Sequence, residues 1–236
     1  MKKLTLWFAL LLPLTLMAQQ TLNSGPQKNQ LIELYTSEGC SSCPPADQWL
    51  SNYKSHPQLW SDIIPVAYHV DYWDYIGWPD RFAAPSYALR QRQHARQGNI
   101  SQVYTPGFVV NGKEWRGWYR SKNAPAIGDA NVGELTITIE QEKFSARFDQ
   151  PADRLTIAVI GFDLKTPVKA GENKGELLNH DFVVLGVKDY QVSGSAWQGE
   201  LPPVSAKYQD TPLAIAAWVS DSRSLKPIQV VGGLID

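Results

Sequence analysis

LIELYTSEGCSSCPPADQWL, residues 31–50, joins an apolar run to a pair of cysteines, two prolines and a run of helical spacing. LIELY (31–35) is a short apolar run suited to a buried strand, and ADQWLSNYK (46–54) carries Trp49, Leu50 and Tyr53 at helical spacing. The stretch therefore predicts strand, loop and helix, with Cys40 and Cys43 at the joint. These are the only 2 cysteines among 236 residues. A bridge between them closes a tiny loop, for which the chain-entropy model gives about 2 kcal/mol, against 4 or more for a long loop. It would tie no two elements together, so the pair reads as redox chemistry rather than a staple. At a helix entry, unpaired N–H groups and the positive end of the dipole favour a thiolate. Cys40 is the expected nucleophile and Cys43 the resolving thiol. Ser41 and Ser42 offer hydroxyl donors or ordinary caps, and Pro44 and Pro45 suit a first helical turn.

Working outward to the start of the chain, MKKLTLWFALLLPLTLMAQQ joins two lysines to an apolar run over 4–17 and a small residue at Ala18. It reads as a signal peptide over 1–18, cut near Ala18 and followed by a linker over 19–30. The run is short for a membrane span, and the polar QQTLNSGPQKNQ follows it in place of basic stop-transfer residues. A periplasmic or secreted protein is expected, with no stable membrane insertion after cleavage, in a compartment where disulfides persist. With 22 basic and 23 acidic residues, the net charge of -1 gives no electrostatic case for nucleic acid.

A second feature lies in SQVYTPGFVVNGKEWRGW, residues 101–118. GFVVNGKEW reads as two strands joined at Asn111-Gly112, a strong hairpin signal, with Thr105-Pro106 just before. IIPVAYHV (63–70) reads as a strand, and PSYALRQRQHARQG (85–98) as a helix with proline at its start and glycine at its end. In this order the chain resembles the thioredoxin fold over roughly 31–130. The resemblance implies a cis Thr105-Pro106 bond facing the sulfurs, with Pro106 shaping the substrate groove. More narrowly, YTSEGCSSCPPAD, HVDYWDYIGWPDRFAAPSYALRQRQ and YTPGFVVNGK together resemble a secreted bacterial family labelled domain of unknown function (DUF) 1223, over most of the chain. That label carries no established reaction. It implies an α/β thioredoxin-like N-terminal domain (31–130) followed by a β domain (131–236).

The chain also departs from thioredoxin. Gly39 stands where thioredoxin has tryptophan, and Ser-Ser replaces Gly-Pro between the cysteines. The nearest counterpart of thioredoxin's buried acid is Glu33, but it stands one residue too far from Cys40. A one-residue shift on a strand reverses the face, so Glu33 serves as proton shuttle only if a bulge or longer loop absorbs it; Glu38 is the alternative acid, and otherwise reads as a solvated loop residue. HVDYWDYIGWPDRF (69–82) is either an aromatic substrate platform or a packed wall between domains. His69 with Cys40 and Cys43 would form a copper or zinc set, although the 4 histidines show no paired ligand spacing.

Past residue 130 the pattern changes to strand-like runs: ELTITIE, KFSARFD, RLTIAVIGFD, DFVVLGVKDY, PLAIAAWVS and PIQVVGG. They predict an all-β sandwich of about seven strands. VKAGENKGELLNHD (168–181) is long and polar and reads as a solvated connection, with a reach towards the first domain's site as the alternative. The expected function is a thiol-disulfide oxidoreductase acting on protein thiols or disulfides, with no cofactor. The alternative is a non-catalytic binding protein or a metallochaperone built on Cys40, Cys43 and His69.

Overall fold

The structure, a computed structural model, describes residues 19–192, 196–208 and 210–235, and the expected signal segment over 1–18 lies outside them. Strand β1 (Gln20–Asn23) leads into β2 (Gln30–Thr36), α1 (Pro44–Ser51), β3 (Ile63–His69), α2 (Pro85–Arg96), β4 (Gly107–Val110) and β5 (Lys113–Trp115). Next come β6 (Leu135–Glu140), β7 (Lys143–Phe148), β8 (Arg154–Gly161), β9 (Leu164–Pro167) and β10 (Leu177–His180). The last four strands are β11 (Val183–Gln191), β12 (Ala196–Glu200), β13 (Leu213–Ser220) and β14 (Gln229–Ile235).

This architecture corrects the expected α/β thioredoxin-like domain followed by a separate sandwich. The described residues are predominantly β, with only two α-helices, and no such N-terminal α/β domain stands by itself. The largest sheet has 8 strands in the order β14-β13-β8-β11-β3-β2-β4-β5, so it runs through both halves of the chain. Its seam is the parallel contact of β11 with β3, Val183 opposite Ala67, extended by the Ala67 N–H donating to Phe182 O at 2.7 Å. The physical reason lies in β3, which is buried at every position. Alone, its outer edge would leave backbone donors and acceptors unpaired, and β11 satisfies them.

Apolar periodicity decides which strands lie where. The alternating β6 and β7 form a 4-stranded sheet, β1-β6-β7-β12, that buries one face. Leu135, Ile137 and Ile139 pack there with Phe144 and Phe148 against Leu155, Ile157 and Val159 of β8 and Ile215 of β13. The linker expected over 19–30 thus supplies a strand to this sheet, with Leu22 opposite Ile137. The near-continuous apolar runs β8 and β13 are buried on both faces. Their other face, with Ala158, Ile160, Ala216 and Trp218, joins the core around β2 and β3. Helix α2 crosses here, with the Arg90 guanidinium 5.3 Å from the Trp218 ring centre. Truncating Ile157 to alanine should lower stability by about 2–5 kcal/mol, read as a lower urea midpoint with an unchanged slope.

The β4–β5 hairpin turns at Asn111 (φ 49°) and Gly112 (φ 74°). Positive φ at both positions is what a two-residue turn of this hand requires, and Asn-Gly supplies it.

Candidate functional site

Cys40 and Cys43 are joined as a disulfide, with Cα atoms 5.4 Å apart. The turn carrying them is already closed by backbone bonds, Cys40 N–H to Ser37 O and Cys43 N–H to Cys40 O, each 3.1 Å. Helix α1 begins at Pro44 with Cys43 as its N-cap, later than expected for a Cys40 at the helix entry. Pro44 and Pro45 carry no N–H, and those of Ala46 and Asp47 donate to Cys43 O at 2.8 and 3.0 Å. The free helix-end donors expected for the Cys40 thiolate are therefore not there. The Ser42 hydroxyl lies 3.4 Å from the Cys40 sulfur.

Trp73 links this turn to the loop before β4. A Cβ added to Gly39 would stand 3.0 Å from Trp73 Cβ, which explains a glycine at this position. The indole Nε1–H of Trp73 donates to Thr105 Oγ1 at 2.7 Å, and the Thr105–Pro106 peptide is cis. Part of the aromatic stretch 69–82 is thus a packed wall beside the disulfide.

The polar stretch after β9 is a cover rather than a solvated connection. Strands β9 and β10 form their own two-stranded sheet, and the loop between them reaches the cysteine turn. Asn173 Nδ2 donates to Glu38 O at 2.8 Å and to Cys40 O at 3.1 Å. The Glu172 carboxylate accepts the Ser41 N–H at 3.1 Å. Cys40 is 1% exposed and Cys43 0%.

Glu33 is placed on the other side of the sheet. It lies opposite Val66 and Val109 in an unbroken register, whereas its neighbour Leu34 lies opposite Phe108, whose ring packs 5.0 Å from Trp49 of α1. Its carboxylate accepts Arg90 Nε at 2.8 Å, Arg90 Nη2 at 3.1 Å and the Tyr35 hydroxyl at 3.0 Å. Burial alone would raise its pKa, but Arg90 and His94 hold it well below the usual carboxylate range.

On the α1 side, beneath the disulfide turn, lies a buried group of five titratable side chains: Glu38, Asp47, His69, Asp80 and His180. His69 Nδ1 is 2.7 Å from Asp80 Oδ2, which also accepts the Glu38 N–H at 2.8 Å. The Trp78 indole donates to Glu38 Oε2 at 2.8 Å. His180 lies between acids, its Nε2 3.4 Å from Glu38 Oε1 and its Nδ1 3.8 Å from Asp47 Oδ2. Neither ring nitrogen makes a hydrogen bond. Burial opposes charge on Glu38, Asp47, His69 and Asp80, yet the bonds of Asp80 with His69 lower the acid's pKa and raise the histidine's. Glu38 is likewise lowered against burial, chiefly by His180. Asp47 alone among the acids keeps a raised pKa, because burial outweighs the attraction of His180 and His69. Among the described residues no set of three or more His, Cys, Asp or Glu side chains is arranged to hold a metal ion. His69 is paired with Asp80 instead of joining Cys40 and Cys43. The sequence reading singled out His69 but missed Asp47, Asp80 and His180. The legible signal was Asp47, four residues after Cys43 and so on its face of the helix.

Fold and site together define a β-rich protein with one mixed sheet and two antiparallel ones, and with a disulfide turn held under an arm from its second half. The chain belongs to the family described as protein of unknown function (DUF1223), whose model matches residues 31–219. It is similar to the crystal structure of a protein from Agrobacterium tumefaciens (TM-score 0.59, 22% identity, covering 89% of this chain and 94% of that one). It is also similar to HBP35 of Porphyromonas gingivalis (TM-score 0.58, 14% identity, covering 89% of this chain and 76% of that one). At such identities the likeness is one of fold. A search of curated proteins gives no match. No helix among the described residues is long and apolar enough to cross a membrane.

Proposed function

We propose that the protein is a periplasmic or secreted thiol-disulfide oxidoreductase acting on protein thiols or disulfides, with Cys40 as the exchanging sulfur and Cys43 as the resolving one. One observation carries this reading: the disulfide closes a turn that the Cys43 N–H to Cys40 O bond already closes. A crosslink of sequence separation 3 adds little to the fold, and its persistence is better explained by chemistry. Thr105 and Pro106 would flank the approaching substrate, joined to the site through Trp73. Because Cys40 is covered, exchange requires the arm carrying Glu172 and Asn173 to lift.

The test is a redox titration of the mature protein against glutathione, paired with insulin reduction. The expected result is a reversible two-electron transition that Cys40→Ser abolishes along with any insulin activity. A disulfide that equilibrates with neither glutathione nor insulin would overturn the reading.

A further inference from the structure

Thiol exchange at this site has one further chemical need, a proton for Cys43. When the disulfide opens, Cys43 leaves as a thiolate in a site from which water is excluded, where an uncompensated charge is strongly disfavoured. Glu33 lies across the sheet with its carboxylate engaged by Arg90. The buried group beneath α1 is on the right side, and its geometry selects one acid. Asp47 follows Cys43 by one helical turn, with its N–H on Cys43 O at 3.0 Å. Residues four apart share a helix face, so Asp47 stands on the face of α1 that carries Cys43.

We propose that Asp47, recharged through His180, gives a proton to Cys43 when the disulfide opens and takes it back when the disulfide closes. The proposal rests on the thiol-disulfide reading above. Facing Asp47 are Thr36 from β2, His69 from β3, Asp80 from the following loop and His180 from β10, with Glu38 at the other ring nitrogen of His180. Glu38 and Asp80 are fixed as acceptors by Trp78, by His69 and by backbone N–H groups, so they are poor proton donors. Asp47 is the one acid of the group whose pKa burial raises. His180 is 2% exposed with both ring nitrogens unbonded, one near Asp47 and one near Glu38, which leaves it free to pass a proton. It stands at the end of β10, at the base of the arm.

With a substrate dithiol, one substrate thiolate bonds to the Cys40 sulfur and the electron pair of the broken S–S bond goes to Cys43. Cys43 takes the proton of Asp47. The second substrate thiolate then attacks the substrate sulfur of the mixed disulfide and releases Cys40 as thiolate. The substrate is oxidised to its disulfide, its two protons go to solvent, and the Cys40–Cys43 pair is reduced. Asp47 regains its proton through His180, and the reverse sequence closes the disulfide.

The experiment follows reduction of the mature protein by dithiothreitol across the neutral pH range in wild type, Asp47→Asn, Asp47→Glu and His180→Asn. Alkylation of Cys43 by iodoacetamide is followed in parallel in a Cys40→Ala background. Asp47→Asn should slow reduction by about 10²-fold, the usual scale for losing one general acid. His180→Asn should slow it by about tenfold, and Asp47→Glu should restore most of the rate. The alkylation profile of Cys43 should shift to lower pH in Asp47→Asn, since a neighbouring carboxylate no longer opposes the thiolate. Wild-type rates and an unchanged Cys43 profile in Asp47→Asn would overturn the relay while leaving the exchange reading intact. A folded wild type that dithiothreitol does not reduce would overturn both.

Discussion

Replacing Arg90 with alanine should destabilise the protein by about 3–5 kcal/mol, because it leaves Glu33 as an uncompensated charge in the core. The pair is bidentate, at 2.8 and 3.1 Å, and the Glu33 side chain is fully buried. The guanidinium is held between the rings of Tyr68 and Trp218, at 5.5 and 5.3 Å. His94, 3.4 Å away, cannot replace both bonds. Unfolding in urea would measure the loss, and a second change, Glu33→Gln, should recover much of it by removing the stranded charge. The pH dependence has a definite sign. Glu33 is depressed in the folded state relative to its ordinary value of 4.5, so its stabilisation is complete above that pH and lost as pH falls below it. Wild type should therefore lose stability on acidification through this window. The deficit of Arg90→Ala should be largest near neutrality and should shrink in acid. A variant within about 0.5 kcal/mol of wild type at neutral pH, the range of ordinary surface changes, would show that the pair contributes nothing to stability.

Asn173→Ala should make the disulfide about tenfold easier to reduce by a small thiol without changing global stability to match. The side chain makes two hydrogen bonds to backbone carbonyls on the cysteine turn, at 2.8 and 3.1 Å. Such bonds contribute about 1 kcal/mol each, and 1.4 kcal/mol is a factor of ten in the population of an opened arm. Reduction kinetics under conditions where opening is in fast equilibrium would read the change directly. Faster hydrogen exchange at the Ser41 amide should accompany it, because Glu172 holds that N–H from the same loop. Unchanged reduction of Asn173→Ala would mean that the arm does not control access to Cys40.

Much of the local structure was legible in the sequence. The apolar run at 31–35, the prolines after Cys43 and the spacing of Trp49, Leu50 and Tyr53 gave a strand, a turn and a helix in their places. Asn111-Gly112 gave the hairpin, and the alternation at Leu135, Ile137 and Ile139 gave a strand with one buried face. All of these depend on interactions among residues a few positions apart, which periodicity records. The helix start was less legible, because the same spacing fits a start at Cys40 or at Pro44, and only the missing N–H groups of two prolines decide it.

What the sequence by itself determined is therefore the set of strands, the two helices and the cysteine pair. Which strands pair was decided only by the tertiary structure. The continuous burial of β3 shows that both its edges are covered, but not that β11, more than a hundred residues on, covers one of them. That pairing merged two expected domains into one sheet. The same holds for the site. Asn173 and Cys40 are 133 positions apart, and nothing in an asparagine between polar neighbours states which carbonyls it will meet. Glu33 and Asp47 are both acids near the cysteines in sequence. The sheet separates Glu33 from α1, while the helical turn places Asp47 beneath Cys43, because face is fixed by register and by packing rather than by distance along the chain.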